Sequence, residues 1–307
     1  MLGNISIVLG IVGSIALFLF SVFSFSEIIK HIAGPRIKSL LQSLTSNPFK
    51  GTLLGLASTA ILQASAATVI ITASLSNAGL ISLYNSLGII FGANIGTTIT
   101  SQLIAFNIMS ISPFIIIIGI MTYFSGRNFK KFGKPIIYFG LLFFSIYLIS
   151  YFVSFIDKTL ISSLLSNVSS PFIAILVGIV ATIILQSSSV VSGIVLVLTG
   201  AGHIDLIQAI AMILGANIGT TFIVMLASTT MNLEAKKVAL SHFLFNFIGV
   251  LIFLPFINYL SIWVSKFGGD LVHQVANTHL IFNIVCTTIF LIFIKPFHSL
   301  INILIKK

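Results

Sequence analysis

GANIGTT stands at residues 92 to 98 and again, letter for letter, at 215 to 221. Sliding the chain against itself by 123 residues lays 48 to 98 on 171 to 221 without a gap. Of those 51 pairs 23 are identical, where composition alone gives roughly five or six. The block is an internal duplication. Pro48 pairs with Pro171, Gly55 with Gly178, Leu62-Gln63 with Leu185-Gln186, Ser65 with Ser188 and Gly79 with Gly202. Upstream, LFLFS at 17 to 21 resembles LLFFS at 141 to 145, so each copy starts one helix earlier, near residues 5 and 135.

The environment of the repeats follows from composition. Of 307 residues, 57% are apolar and 7% charged, against roughly a quarter charged in a soluble domain. Residues 51 to 126 contain no Asp, Glu, Lys or Arg, a run of 76, where roughly 20 cross a bilayer. A water-soluble fold is excluded, and the expected class is an all-α polytopic membrane protein. The net charge of +10 does not indicate a nucleic-acid partner, because the basic residues lie in the polar loops between apolar blocks. The stretch from Met1 to Glu27 is too long in its apolar part for a signal peptide, has no basic start, and reads as the first spanning helix. Cys286 is the single cysteine. It excludes an intrachain disulfide and a multi-Cys metal site, and reads as core filler.

Apolar segments fall at about 5–26, 51–76, 80–107, 112–125, 135–156, 172–199, 204–230, 238–260 and 277–294. Loop charge decides which of them cross. If 51–76 and 172–199 are re-entrant hairpins and the N-terminus is outside, the loops at 27–50, 125–134, 231–237 and 295–307 all lie inside. They carry 4 + 4 + 2 + 3 = 13 of the 15 basic residues, leaving Lys158 and Lys266 outside. If both segments span, the basic loops fall on opposite sides, against the positive-inside rule. The hairpin model gives seven crossings and a cytoplasmic C-terminus in the cell membrane. Three crossings separate equivalent points, so the second repeat is inverted, an arrangement found in secondary transporters. The expected units are residues 1–134 and 135–260, one repeat each, followed by a C-terminal transmembrane helix and tail at 261–307.

Two polar clusters occupy the hairpins, LQASAAT at 62 to 68 and LQSSSVVS at 185 to 192. Gln amides, hydroxyls and backbone groups freed at a tip form a neutral set that can hold an oxyanion and a hard cation side by side. The candidates are Gln63, Ser65, Thr68, Gln186, Ser187, Ser188 and Ser189, with Ser65 and Ser188 also available to the cation. Small polar residues also let helices pack closely, but the recurrence of Gln at equivalent positions favours a site. In GANIGTT the small residues Gly88, Gly92 and Gly96, and Ala211, Gly215 and Gly219, form a packing stripe. Asn94, Thr97 and Thr98, with Asn217, Thr220 and Thr221, are costly at mid-span unless satisfied. A broken helix here would expose carbonyls to a cation and aim a half-helix N-terminus at an anion.

These residues resemble a known family. The paired QSSS-type clusters, the paired GANIGTT, the opening LFLFSVFSFSEIIKHIAG and the late SHFLFN and THLIFN are similar to sodium-dependent phosphate cotransporters of type II and their bacterial relatives. The resemblance covers nearly the whole chain. It implies that the two QSSS segments and neighbouring broken helices form the sodium and phosphate sites, at Gln63, Ser65, Gln186, Ser187, Ser188 and Ser189. The first cluster departs from the pattern, since Gln63-Ala64-Ser65-Ala66 lacks two hydroxyls.

The two His-x-x-Phe-Asn units place His242 with Asn246, and His279 with Asn283, one turn apart. No carboxylate or cysteine lies near them in sequence, so a metal site built from both histidines is disfavoured. They read as interhelical braces supporting the site. All five acidic residues lie at segment ends and both arginines in loops. A midplane phosphate and sodium must then be compensated by dipoles and by each other. The expected function is sodium-coupled phosphate uptake by alternating access, with sodium, phosphate and lipid as partners and no cofactor. The oligomeric state stays open, a homodimer included. Another oxyanion such as sulfate is the alternative substrate. An anion channel lacks its charged ring or continuous lining, and a membrane enzyme lacks any nucleotide loop, His-Glu metal motif or Ser-His-Asp pattern.

Overall fold

The computed structural model of the chain describes residues 4–126, 129–157 and 170–306. Arg127, Lys158 and Lys307, three residues of the charge map, lie outside them. Regular elements among the described residues are all helical, as a backbone in lipid requires. In order they are α1 (Asn4–Leu44), α2 (Pro48–Leu62), α3 (Ser65–Asn77), α4 (Leu83–Ala105), α5 (Ser112–Phe124), α6 (Lys130–Val153), α7 (Pro171–Leu185), α8 (Ser188–Gly200), α9 (Leu206–Ser228), α10 (Leu233–Phe253), α11 (Ile257–Ser265), α12 (Leu271–Ile292) and α13 (Ile294–Leu304). Six spans among the described residues, 5–44, 83–105, 130–153, 206–228, 233–265 and 271–292, are long and apolar enough to cross a membrane. The protein is an all-α polytopic membrane protein.

One expectation needs correction and another needs refinement at the level of single helices. The loop expected over 27–50 is helical as far as Leu44, making α1 41 residues long, or about 60 Å. The added turns carry an apolar stripe. Ile37 and Leu41 are buried in a small separate core with Leu62, Leu75, Ile81 and Ile89, so the helix continues because it has the first hairpin to lie on. The segment expected to cross at 112–125 forms α5, 13 residues, and a 3-10 turn at Ile108–Ile111 runs directly into it, so the apolar helix extends over Ile108–Phe124, at the short end of the lengths that span a bilayer. It packs antiparallel on α6, with Gly119 against Ile137 and Gly140 against Ile116.

The hairpins are built alike. α2 and α3 contain 15 and 13 residues, as do α7 and α8, so each arm is only about 20 Å long. The first arm of each runs parallel to the long helix that follows. Gly88, Gly92 and Gly96 of α4 lie against the carbonyls of Pro48, Thr52 and Leu56, and Gly215 and Gly219 of α9 lie against those of Ile175 and Ile179. A Cβ at Gly92 or Gly215 would collide with that backbone, so the packing role of the stripe is real.

Contacts at the two ends give the relative direction of the repeats. Asn232, just past α9, bonds to Asn77 at the end of α3, its backbone N–H donating to Oδ1 at 2.7 Å and its Nδ2 to the carbonyl at 2.8 Å. At the opposite end Phe106, just past α4, meets His273 at the start of α12 with ring centroids 5.8 Å apart, and the end of α8 at Gly200 faces Val272. Because α3 ends where α4 begins, α4 and α9 run in opposite directions. The hairpins therefore enter from opposite sides, and their tips approach each other.

Candidate site between the hairpin tips

Each tip turns on a glutamine. Gln63 has φ 51° and ψ 27°, and Gln186 has φ 53° and ψ 24°, a left-handed conformation that costs a residue other than glycine on the order of 1–3 kcal/mol. The next residues, Ala64 and Ser187, are extended at φ −151° and −155°, and the second arms start at Ser65 and Ser188. These breaks aim the N-termini of α3 and α8 at one cavity of about 60 Å³. It is lined by Gln63 to Ala66, Gln186 to Ser189 and Thr220, with Val22, Phe23 and Ser26 of α1 closing it. It has room for a few water-sized groups.

Among the described residues, no charged side chain lines the cavity. Its electrostatics come from two helix N-termini, each equivalent to roughly half a positive charge, and from hydroxyls. Among the described residues the side chains of Ser65, Gln186, Ser188 and Ser189 make no hydrogen bond within the protein, although both α8 serines and Ser65 are buried. Ser187 accepts the Val190 amide at 3.3 Å as the cap of α8, whereas Ala64 leaves α3 without a side-chain cap. Unpartnered donors facing a small neutral cavity suit an anion that has lost its water.

Gln63 is differently placed from Gln186. Its Oε1 accepts from Thr100 Oγ1 at 2.6 Å and its Nε2 donates to the Ala60 carbonyl at 2.7 Å. Its amide is thus engaged within the protein while it lines the cavity. Thr68 faces the other hairpin arm, accepting from Thr59 Oγ1 at 2.9 Å, and is not among the lining residues.

The GANIGTT helices correct another expectation. α4 and α9 run unbroken through residues 92–98 and 215–221. Five of the six polar side chains reach carbonyls without a break, because Asn94 Nδ2 donates to the Ile90 carbonyl, Thr97 and Thr220 to those of Ala93 and Ala216, and Thr98 and Thr221 to those of Ile95 and Ile218, whereas Asn217 Nδ2 is buried with no partner among the described residues. Thr220 alone of these six lines the cavity. A hydroxyl that has given its proton to a carbonyl presents only lone pairs, which suits a cation.

His279 Nδ1 meets Ser101 Oγ of α4 at 3.1 Å and its Nε2 meets Asn217 Oδ1 of α9 at 3.1 Å, so one imidazole ties both long helices to α12. The other members do not brace in this way. Asn246 and Asn283 donate back to the carbonyls of His242 and His279, and both ring nitrogens of His242 are buried without a partner among the described residues. α10 and α12 are antiparallel, with Phe245 on Phe290 and Phe253 on Phe282. That register separates His242 from His279 by about 20 Å, which excludes a shared metal ion. Val22, Phe23, Ser26 and Thr100 were not singled out from sequence. SVFSFSE marks a polar interruption of the first span, but Thr100 carries no local signal.

The Na+/Pi-cotransporter family model matches the chain twice in tandem, over residues 17–151 and 152–293. The chain belongs to the Na+/Pi-cotransporter family. The uncharacterized protein YqeW of Bacillus subtilis is 31% identical over 277 residues, 89% of this chain and 90% of YqeW. YjbB of Escherichia coli K12, whose name carries inorganic phosphate export, is 29% identical over 78% of the chain and 45% of its own length. The mouse sodium-dependent phosphate transport protein 2C is 43% identical over 110 residues, 34% of the chain and 18% of that protein. The chain thus spans most of YqeW but less than half of the relatives named for phosphate. No solved structure gives a match. Family membership places the chain among phosphate transporters and gives the duplicated tips their context.

Proposed function

We propose that this cotransporter-family protein couples sodium entry to uptake of inorganic phosphate by alternating access, with both ions held between the hairpin tips. The observation carrying the proposal is the uncharged cavity, where two helix N-termini and four unpartnered polar side chains converge from inverted repeats. Ser65, Ser188 and Ser189 donate to phosphate. Gln186 both donates and accepts, which suits a hydrogen phosphate carrying its own O–H and leaves fully ionised sulfate one partner short. Sodium takes lone pairs from Thr220 and the neighbouring hydroxyls, and supplies the positive charge the protein lacks.

The basic loops support an inside assignment for the face carrying Asn77, Tyr84, Lys237 and His298, with the N-terminus outside in the cell membrane. Direction follows from the gradients in a coupled carrier, so an inward sodium gradient drives uptake and a reversed balance drives export. The test is counterflow in proteoliposomes. Labelled phosphate should enter vesicles preloaded with phosphate and sodium, and excess sulfate should compete weakly. Equal competition by sulfate would assign the site to oxyanions in general, and absence of sodium-stimulated exchange would overturn the coupling.

A further inference from the structure

Duplication supplied two similar hairpins, but the bonds holding them differ. The first is tied at three levels. At the tip Thr100 Oγ1 donates to Gln63 Oε1 at 2.6 Å, midway Thr59 Oγ1 donates to Thr68 Oγ1 at 2.9 Å between the arms, and at the base Asn77 receives both donors of Asn232. Adding 123 to Thr100, Thr68 and Asn77 gives Ile223, Val191 and Gly200, none of which has a side chain able to make the bond. The partners that remain show the loss. Thr182, the equivalent of Thr59, has its Oγ1 buried with no partner among the described residues, and the amide of Gln186, an exposed residue, bonds to no protein group where that of Gln63 is held by Thr100.

Backbone packing excludes a shift of register as the cause. Gly96 meets Leu56 and Thr59 as Gly219 meets Ile179 and Thr182, so Ile223 occupies on α9 the place Thr100 holds on α4. Ser187 does cap α8, but that bond is local to the tip and ties it to no other element.

We infer that Thr100 and Thr68 are positioning residues that hold the first hairpin as the fixed half of the site, and that the second hairpin, carrying Gln186, is the half that moves to admit and release substrate. This rests on the proposed transport function for its consequence, but the asymmetry itself can be measured without transport. A tip released from its side-chain bonds opens locally more often, and opening exposes amides to exchange. A single hydrogen bond of this kind changes such an equilibrium by up to about tenfold.

The experiment is hydrogen exchange followed by mass spectrometry on the full chain in nanodiscs, paired with phosphate counterflow. Amides at 188–195 should exchange about tenfold faster than those at 65–72. Thr100→Val should speed exchange at the first tip, and Thr100→Ser should restore protection. Val191→Thr with Ile223→Thr gives Thr182 and Gln186 the partners they lack. It should slow exchange at the second tip and lower maximal counterflow about tenfold, with half-saturation for phosphate held within about threefold. Loss of rate alongside a gain in protection is an outcome that a purely structural defect does not produce. Equal protection of the two wild-type tips would overturn the inference, as would faster counterflow in the Val191→Thr/Ile223→Thr variant. The wild-type comparison needs no variant to fold, and it stands even if phosphate is not carried.

Discussion

Ser188→Ala separates substrate binding from hairpin folding most cleanly. Ser188 opens the first turn of α8 and is 5% exposed, and its hydroxyl has no hydrogen-bond partner in the protein among the described residues. It is one of four unpartnered polar side chains lining the cavity where we propose that a dehydrated phosphate binds. Removing one donor to a dehydrated oxyanion costs about 1–3 kcal/mol, or roughly 5- to 150-fold in apparent phosphate affinity. The neighbouring Ser187 supplies the control. Its Oγ is spent on the Val190 amide, so Ser187→Ala should cost about 0.5–2 kcal/mol of helix stability through loss of the cap. Initial rates of labelled phosphate uptake into proteoliposomes give half-saturation, and thermal unfolding in detergent gives stability. Ser188→Ala should raise half-saturation at least fivefold with unfolding unchanged, and Ser187→Ala should chiefly lower the unfolding temperature. Half-saturation within twofold of wild type for Ser188→Ala would refute the donor argument.

Three further perturbations have outcomes fixed by packing, bonding and charge. Gly215→Val would drive a branched side chain into the Ile175 carbonyl, so the second hairpin should separate from α9 and the yield of folded protein in detergent should fall sharply, whereas Gly13→Val, with open space around it, should be tolerated. His279→Phe leaves Ser101 and the Asn217 carbonyl without their partner, and the loss should be about 2–4 kcal/mol in denaturant unfolding if those two bonds behave as ordinary buried ones. Asp270 caps α12 by accepting the His273 amide at 2.9 Å, and that bond lowers its pKa below the ordinary 3.8. A depressed carboxyl adds stability that is complete above its unfolded value and lost as pH falls through the folded one. Asp270→Ala should therefore cost about 1 kcal/mol at neutral pH, and its unfolding temperature should converge on wild type as pH drops below 3.8.

The architecture was legible because duplication preserves what it copies. Gln63 and Gln186 identify both tips, and the basic loops give the parity that makes the second repeat inverted. What escaped was set by tertiary partners. Asn94, Thr97 and Thr98 invite a break on grounds of polarity, yet each side chain reaches a carbonyl three or four residues back, so continuous helices satisfy them. The charges from Glu27 to Lys38 resemble a loop, but Ile37 and Leu41 on the same turns have the first hairpin to cover. Thr100 sits 37 residues from Gln63, and no local pattern announces a bond across that distance. Ser26 reaches the cavity only because α1 lies beside both tips.

The central claim is that a cavity without fixed charge holds phosphate only in company with sodium. Desolvating an uncompensated ion costs several kcal/mol even after relaxation, so each ion must raise the affinity of the other by the same factor. Titration calorimetry of phosphate into the purified protein, in sodium buffer and in choline buffer of equal ionic strength, measures this directly. Phosphate should bind at least tenfold more tightly in sodium; equal affinity in the two buffers would contradict the account.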